Sequence, residues 1–438
     1  MATLVLTTIG SVIGGPIGGA IGGMLGQAID RDVIFKPKGR EGPRLAELAV
    51  QTSSYGTPIQ RVFGTMRIGG CVIWSTDLIE SRSTASSGKG QPSVTNYSYS
   101  ASFAVALSGR PIRSVGRIWA DGNLLRGAAG DFKVSTGFRL HLGGEDQDAD
   151  PLIASAEGVG LAPAHRGIAY AVFEGLQLAD YGNRIPSLTF EVIADPAPVA
   201  AGAIAAELTG GLIDGAAATL PLPGFAAYGN VRAVIETLGT ATGGWFAPDG
   251  ARLSLRVSND PERTIADAGV AAGAGGGARA VGSTAAIETV PRTVTLKHYD
   301  PARDYQTGVQ RARRPGAGYS DQQIDMPAAL DAASAKTMAE ATLARAEAGR
   351  VRRTVALGWD AIGIAPGACV AIDGAAGAWR VTGWSLEQMV LSLECVRLAA
   401  AALPAQASGG RVLSSPDPVA GTTIVHVFET PPLDDGVL

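Results

Sequence analysis

Apolar and polar residues alternate with a period of two along much of this chain, the pattern of strands with one buried face. The clearest case is NYSYSASFAVAL, where Tyr97, Tyr99, Phe103 and Val105 fall on one face. SGRP then turns the chain, and VGRIWADGNLL continues from Val115 as a second strand with Asp121-Gly122 as its turn. Further strands are predicted at Leu45–Gln51, Ile59–Met66, Gly69–Leu78, FRLHLG, Ile168–Glu174 and Ser187–Ile193, with a short helix over Pro151–Glu157. Residues 81–96, rich in Ser, Gly and Thr, read as an exposed loop between hairpin strands. Lys89 within it lacks the GxxxxGK[ST] spacing of a phosphate loop.

DPAPV, from Asp195, marks a boundary. Beyond it the period lengthens to that of helices: Ala200–Leu208, then Gly229–Gly239 with Val231, Val234, Ile235 and Leu238 on one stripe. GGWFAPDGARLSLRV predicts a hairpin, and the Ala- and Gly-rich residues 268–282 a linker. Strands resume at Ile287–Lys297. A helix is predicted over 327–348, starting at Pro327 and packing through Leu330, Ala333, Thr337, Ala341, Ala344 and Ala348. Strands at Arg352–Gly358, Cys369–Ile372 and Met389–Leu398 close the pattern, PGACVAID forming a turn into one of them. From Leu403 Pro, Ser and Gly dominate, and TTIVHVFETPPLDD reads as the start of a further domain.

The first thirty residues follow neither period. Thr3–Ile29 carries no charge, and Gly10, Gly14, Gly18, Gly22 and Gly26 recur every fourth position, with Ile13, Ile17 and Ile21 between them. On a helix this repeat makes a smooth groove for close backbone approach. The run is long enough to span a bilayer, yet repeated glycine and Pro16 weaken a lone helix in water. A conditional helix packed within an assembly fits best; a permanent anchor is the alternative. A signal peptide is disfavoured, since a basic n-region is lacking.

Composition narrows the chemistry. The 438 residues imply several domains, and 46% apolar with 17% charged residues suits a chain that buries surface against partners. A net charge of −4 gives no general case for nucleic-acid binding. The basic clusters Arg311, Arg313, Arg314 and Arg350, Arg352, Arg353 read as solvated charge or a protein interface. Cys71, Cys369 and Cys395 lie in apolar surroundings without disulfide or zinc spacing, and the four histidines are scattered. The acidic loop GGEDQDADP (Glu145, Asp146, Asp148, Asp150) lacks the terminal glutamate of a calcium loop and reads as a solvated turn. No GxSxG or metal motif is present, so no catalytic, cofactor or metal site is expected. Asp121, Asp180 and Asp195 read as turn formers or partners of Arg117 and Arg184.

Three segments together resemble the tail hub, or tip-attachment, proteins of long-tailed phages, prophages and gene transfer agents. They are Glu47–Trp74, Tyr97–Gly122 with LADYGNRIPSLTFEV (Leu178–Val192), and HYDPARDYQTGVQRARR (His298–Arg314). Family-motif positions are Tyr99, Trp119, Asp121, Gly182, Asn183, Arg184, Pro186 and Tyr305. The resemblance implies a mainly β fold with an α+β insertion: two tail-tube-like β-barrels, an inserted α/β unit and an N-terminal Gly-rich apolar helix. The expected domains are an apolar segment 1–30, a hinge 31–43, a first barrel region 44–195, an insert 196–284, a second barrel region 285–400 and a tail 401–438. It further implies a non-enzymatic virion component at the tail tip, assembled in the host cytoplasm. Its partners would be two further copies in a homotrimer, the distal tail protein ring, the tape-measure protein and other tip or fibre proteins. Host membrane contact would be transient and DNA only passing cargo. The hydrolase-like barrel that gene transfer agent relatives carry has no counterpart here, so cell-wall hydrolysis is not expected. A membrane-anchored receptor- or glycan-binding surface protein is the alternative.

Overall fold

The computed structural model describes residues 56–85, 94–181, 184–266 and 280–411. All of them lie in one compact unit, Leu45–Leu438; the other unit is Met1–Arg44. The apolar segment with its glycine and isoleucine rows, the hinge, the strand at Leu45–Gln51 and the sequence TTIVHVFETPPLDD lie outside the described residues.

Alternating sequence becomes sheet. The first region supplies β1 (Arg61–Gly69), β2 (Cys71–Ser75), β3 (Ile79–Ala85), β4 (Val94–Ser108), β5 (Ser114–Ala120), β6 (Asn123–Arg126), β7 (Gly137–His141), β8 (Ala169–Gln177) and β9 (Leu188–Ile193). Five of them form one sheet in the order β2-β4-β8-β7, with β3 paired to β4. The strands reach further into the expected loop 81–96 than composition suggests. β3 and β4 stay in register from Ile79↔Ser100 to Ala85↔Val94, because main-chain pairing accepts Ser and Thr at every position.

The middle segment adds β10 (Val199–Ala200), α1 of the first region having been the short helix Pro151–Glu157, then α2 (Ala201–Leu208), β11 (Ile213–Asp214), β12 (Pro221–Leu222), β13 (Gly224–Ala227), α3 (Val231–Thr242), β14 (Trp245–Asp249), β15 (Arg252–Arg256) and β16 (Arg263–Ile265). The last described region holds β17 (Ala280–Thr284), β18 (Thr293–Asp300), β19 (Gln306–Arg313), β20 (Asp321–Ala329), α4 (Ala332–Ala348), β21 (Val351–Gly358), β22 (Cys369–Ile372), β23 (Ala375–Glu387) and β24 (Val390–Arg397). An eight-stranded sheet, β19-β18-β20-β13-β1-β9-β5-β6, draws on all three segments of the chain. The fold is mainly β with an α+β insertion.

β1 is the spine of that sheet, and it changes partner at Gly64. Arg61–Gly64 pairs with β13, and Thr65–Gly69 with β9. Gly64 has φ 65°, and a Cβ there would lie 2.2 Å from Pro223 O; one on Gly224 would lie 2.0 Å from Thr65 O. Only glycine lets the two backbones pass this closely. Alternate β1 residues then face two cores. Val62, Met66 and Ile68 join Phe103, Phe173, Phe190 and Leu188 between the eight- and five-stranded sheets. Phe63 joins Phe225, Leu238, Leu296, Met326 and Leu343 under α2, α3 and α4. A third core fills the six-stranded sheet β16-β22-β23-β24-β21-β17.

Two helical expectations shift. Pro327 lies in β20, not at a helix start, and α4 begins after Asp331, whose side chain accepts from the Ser334 N–H. The buried stripe is Ala332, Ala335, Met338, Ala339, Thr342 and Leu343, not the one through Ala333 and Ala341. In an alanine-rich helix the few bulky residues, Met338 and Leu343, choose the inner face. By contrast α3 buries Val234, Ile235 and Leu238 of its expected stripe, while Val231 in its first turn is exposed; Asn230 caps it, and it runs past Gly239 to end at left-handed Gly243. Among the described residues no helix is long and apolar enough to cross a membrane.

Candidate functional site

Charged side chains concentrate where the strands of distant segments meet. Arg117 on β5 donates to both Glu191 oxygens on β9 (Nε 3.0 Å, Nη2 2.8 Å) and to Asp304 Oδ1 (2.5 Å) in the turn between β18 and β19. Arg67 on β1 donates to Thr189 Oγ1 (2.9 Å) and to the Asp304 carbonyl (3.1 Å). Trp119 lies beneath both guanidiniums, 3.9 Å from Arg67 Cζ and 4.9 Å from Arg117 Cζ to its ring centre. Tyr305 is buried in the first core, and its hydroxyl bonds Glu191. A Cβ on Gly116 would meet Glu191 Oε2 at 2.6 Å, so glycine there leaves room for the carboxylate.

The charges are mutually dependent. Burial pushes the Glu191 carboxyl up, but the Arg117 hydrogen bonds outweigh it and hold it below its ordinary value. Burial lowers Arg67 to about 10 despite Asp304. Burial and then the Glu191 charge raise the Tyr305 hydroxyl. Asp304 and Tyr305 both adopt positive φ, 53° and 59°. That turn is held to β5 by the Arg117–Asp304 ion pair, which joins residues 187 positions apart, to β1 by Arg67 at the Asp304 carbonyl, and to β9 by the Tyr305–Glu191 hydrogen bond.

A second cluster fastens the acidic loop. Asp150 is fully buried, not solvated. It accepts from Arg139 Nε (2.8 Å) and Nη2 (3.0 Å), and from the Leu152 N–H (2.9 Å) as the cap of α1. His141 Nε2 lies 3.0 Å away, and its ring stacks on Tyr170 at 4.3 Å. Burial raises the Asp150 carboxyl, but Arg139, His141 and the capping N–H bring it down to about 2. Gln147 ties the rest of the loop, accepting from Gly143 N–H and donating to the carbonyls of Ala164 and His165. Among the described residues no group of three metal-ligating side chains occurs.

The motif positions separate into groups. Asp121, with φ 49°, accepts from Arg184 Nη2 (2.9 Å) and from the Ser187 N–H (2.9 Å), beside buried Pro186. Trp119 and Tyr305 meet across the Arg117–Glu191 pair, whereas Tyr99 lies on β4, its hydroxyl 2.9 Å from Glu80. Gly182 and Asn183 lie outside the described residues. Asp195 pairs not with Arg117 or Arg184 but with Arg110 (2.7 Å), while accepting from the Gly64 N–H. Arg314 is only 3% exposed and donates to the carbonyls of Ile287, Val290, Pro291, Pro315 and Ala317; Arg311 and Arg313 are exposed.

Residues 230–384 match a family model described as "Putative phage tail protein". A chain of the virion of a native gene transfer agent particle is 27% identical, with a TM-score of 0.69, covering 91% of this chain and 98% of that one. The match and the likeness together support a phage tail protein. The 43 kDa tail protein of prophage MuSo2 from Shewanella oneidensis is 11% identical at a TM-score of 0.32, covering 75% of this chain and 99% of that one. Prophage tail protein gp18 from Listeria monocytogenes EGD-e is 9% identical at 0.29, covering 68% and 84%. No curated protein matches.

Of the motif positions, Trp119 and Tyr305 lie at the seam around Arg117, whereas Arg67, Glu191 and Asp304, which contact it, were not singled out by the sequence. The signal was present in part. Arg117 and Glu191 are opposite charges inside the otherwise apolar strands SVGRIWA and LTFEVI, where an unpaired charge would be costly. The chain thus carries an ion pair that joins segments 187 positions apart and a loop fastened by Asp150 and Gln147.

Proposed function

We propose that this chain is a hub at the distal end of a phage-like or gene-transfer-agent tail. Three copies adapt a sixfold tube to a threefold tip, close the tube, and take part in host attachment and DNA delivery. Residues 1–30 then line or plug the lumen or enter the host envelope, with Gly10, Gly14, Gly18, Gly22 and Gly26 forming the close-packed face. The partners are the distal tail ring, the tape-measure protein and further tip or fibre proteins.

The observation that carries this reading is the likeness to a virion chain over 98% of that chain's length. The seams support it: a turn bolted to three strands and a buried arginine bonded to five carbonyls suit a part that passes force between neighbours. The test is electron microscopy of purified particles whose copy of this chain carries a small internal tag. Gold label is expected at the tail end away from the head. Label along the tube, or at the head-proximal end, rejects the hub position.

A further inference from the structure

The hairpin β23–β24 ends in an apolar knob. Its two turn residues, Gln388 and Met389, have φ of 49° and 63°. Such turns favour Asn and Gly, so two residues with long side chains hold a strained conformation there. Met389 is 59% exposed. Trp384 and Leu386 on the same hairpin, and Trp359 and Ile362 just after β21, are also exposed large hydrophobics. Pairing of Gly358 and Glu387 with Val390 brings Trp359 to the same end of the sheet as the turn. The carboxylates of Asp360 and Glu387 flank this patch and are exposed. Monomers rarely leave so many large apolar groups open together, and Trp and Met are enriched at interface centres.

The insert carries a complement. Between α2 and β11 runs a groove of about 830 Å³, counting space open to solvent, with Ala203, Ala206, Ile213 and Ala216 among its walls and both Arg252 and Asp214 in its lining. Gly202 and Gly215 bring the two backbones so close that a Cβ on either would overlap the other's carbonyl. The small side chains leave the groove empty rather than filled from within. Among the described residues Arg252 has no ion-pair partner.

We infer that the β23–β24 knob of one copy seats in the α2–β11 groove of the next, with Met389 and Trp384 on its apolar floor and Glu387 against Arg252. Convex meets concave, and the Glu387 carboxylate meets the Arg252 guanidinium, whose own neighbour in the groove lining is Asp214. The two patches differ, so the contact is head-to-tail and closes only as a ring. This inference rests on the homotrimer reading and names the surfaces that would form it.

The test is the native mass of the full chain in mild detergent over a hundredfold concentration range. The wild type is expected to be trimeric. Ala206→Trp, which fills the groove, Met389→Asp and Arg252→Glu are each expected to weaken association at least tenfold. Arg252→Glu combined with Glu387→Arg is expected to recover to within threefold of wild type. A trimeric wild type whose single variants stay within threefold of it, or whose charge-exchanged pair is no better than Arg252→Glu alone, overturns the contact and leaves the trimer standing. A wild type that is monomeric throughout overturns both.

Discussion

Replacing Asp150 with Asn tests whether the buried carboxylate, rather than the mere shape of its site, holds the loop between β7 and α1. Its two oxygens accept from Arg139, the Leu152 N–H and His141. The folded carboxyl titrates near 2 against an ordinary 3.8. That difference corresponds to about 2 kcal/mol of stability. Because the folded value is depressed, the contribution is fully present above pH 3.8 and lost as pH falls through 2. Asn keeps one acceptor for the Leu152 N–H but turns an NH2 or a neutral oxygen toward Arg139. Glu174, 2.6 Å from Arg139 Nη1, still pairs with the guanidinium and limits the loss. The expected cost at pH 7 is about 2–3 kcal/mol. Hydrogen exchange reads this locally, since opening free energies differ between parts of a structure. Amides of the loop and of Leu152 are expected to exchange about 30- to 150-fold faster in the variant. The protection lost by the wild type between pH 4 and 2 is expected to be absent from it. A variant within about 0.5 kcal/mol of wild type at pH 7, or equal acid sensitivity in both, refutes the reasoning.

Gly224→Ala is expected to cost about 3 kcal/mol or more in urea denaturation, because its Cβ would collide with the Thr65 carbonyl, a backbone atom. Gly122→Ala, at a left-handed position (φ 87°) but with open space around it, is expected to cost only about 1 kcal/mol. His298 is fully buried with neither ring nitrogen hydrogen-bonded among the described residues, and burial lowers its pKa. The unfolded chain therefore takes up its proton first, so stability falls as pH drops below 6.5. His298→Leu is expected to flatten denaturation midpoints between pH 7.5 and 5.5 and to leave stability at pH 7.5 within about 1 kcal/mol.

Local pattern was legible wherever one residue dominates its neighbourhood. The Asp121-Gly122 turn appears with both residues at positive φ, and α3 buries Val234, Ile235 and Leu238, three of the four positions of its apolar stripe. Sheet order was not legible, because pairing partners are set by cores built from remote segments. β13 from the insert and β18 to β20 from beyond it join β1, and nothing in GFAA or in QTGVQRAR names that neighbour. α4 shows the limit of composition: Pro327 suggests a start, but the capping Asp331 lies four residues on. The charged seams fall between these cases. Arg117 and Glu191 were visible as odd charges in apolar strands, whereas Asp304 acts through a turn conformation that sequence does not display.

The order of the eight-stranded sheet has a consequence for how the chain is made. β1 is synthesised early, yet its neighbours β9 and β13 emerge more than a hundred residues later, and β20, which closes β13, ends at Ala329. At roughly 5–20 residues per second, β1 waits on the order of ten to fifty seconds on the ribosome before the sheet around it is complete. During that interval a strand destined for the centre presents both edges to whatever is nearby. Copies translated close together on one message would be each other's nearest strands, so the topology exposes this chain to pairing between nascent copies before its own sheet can close.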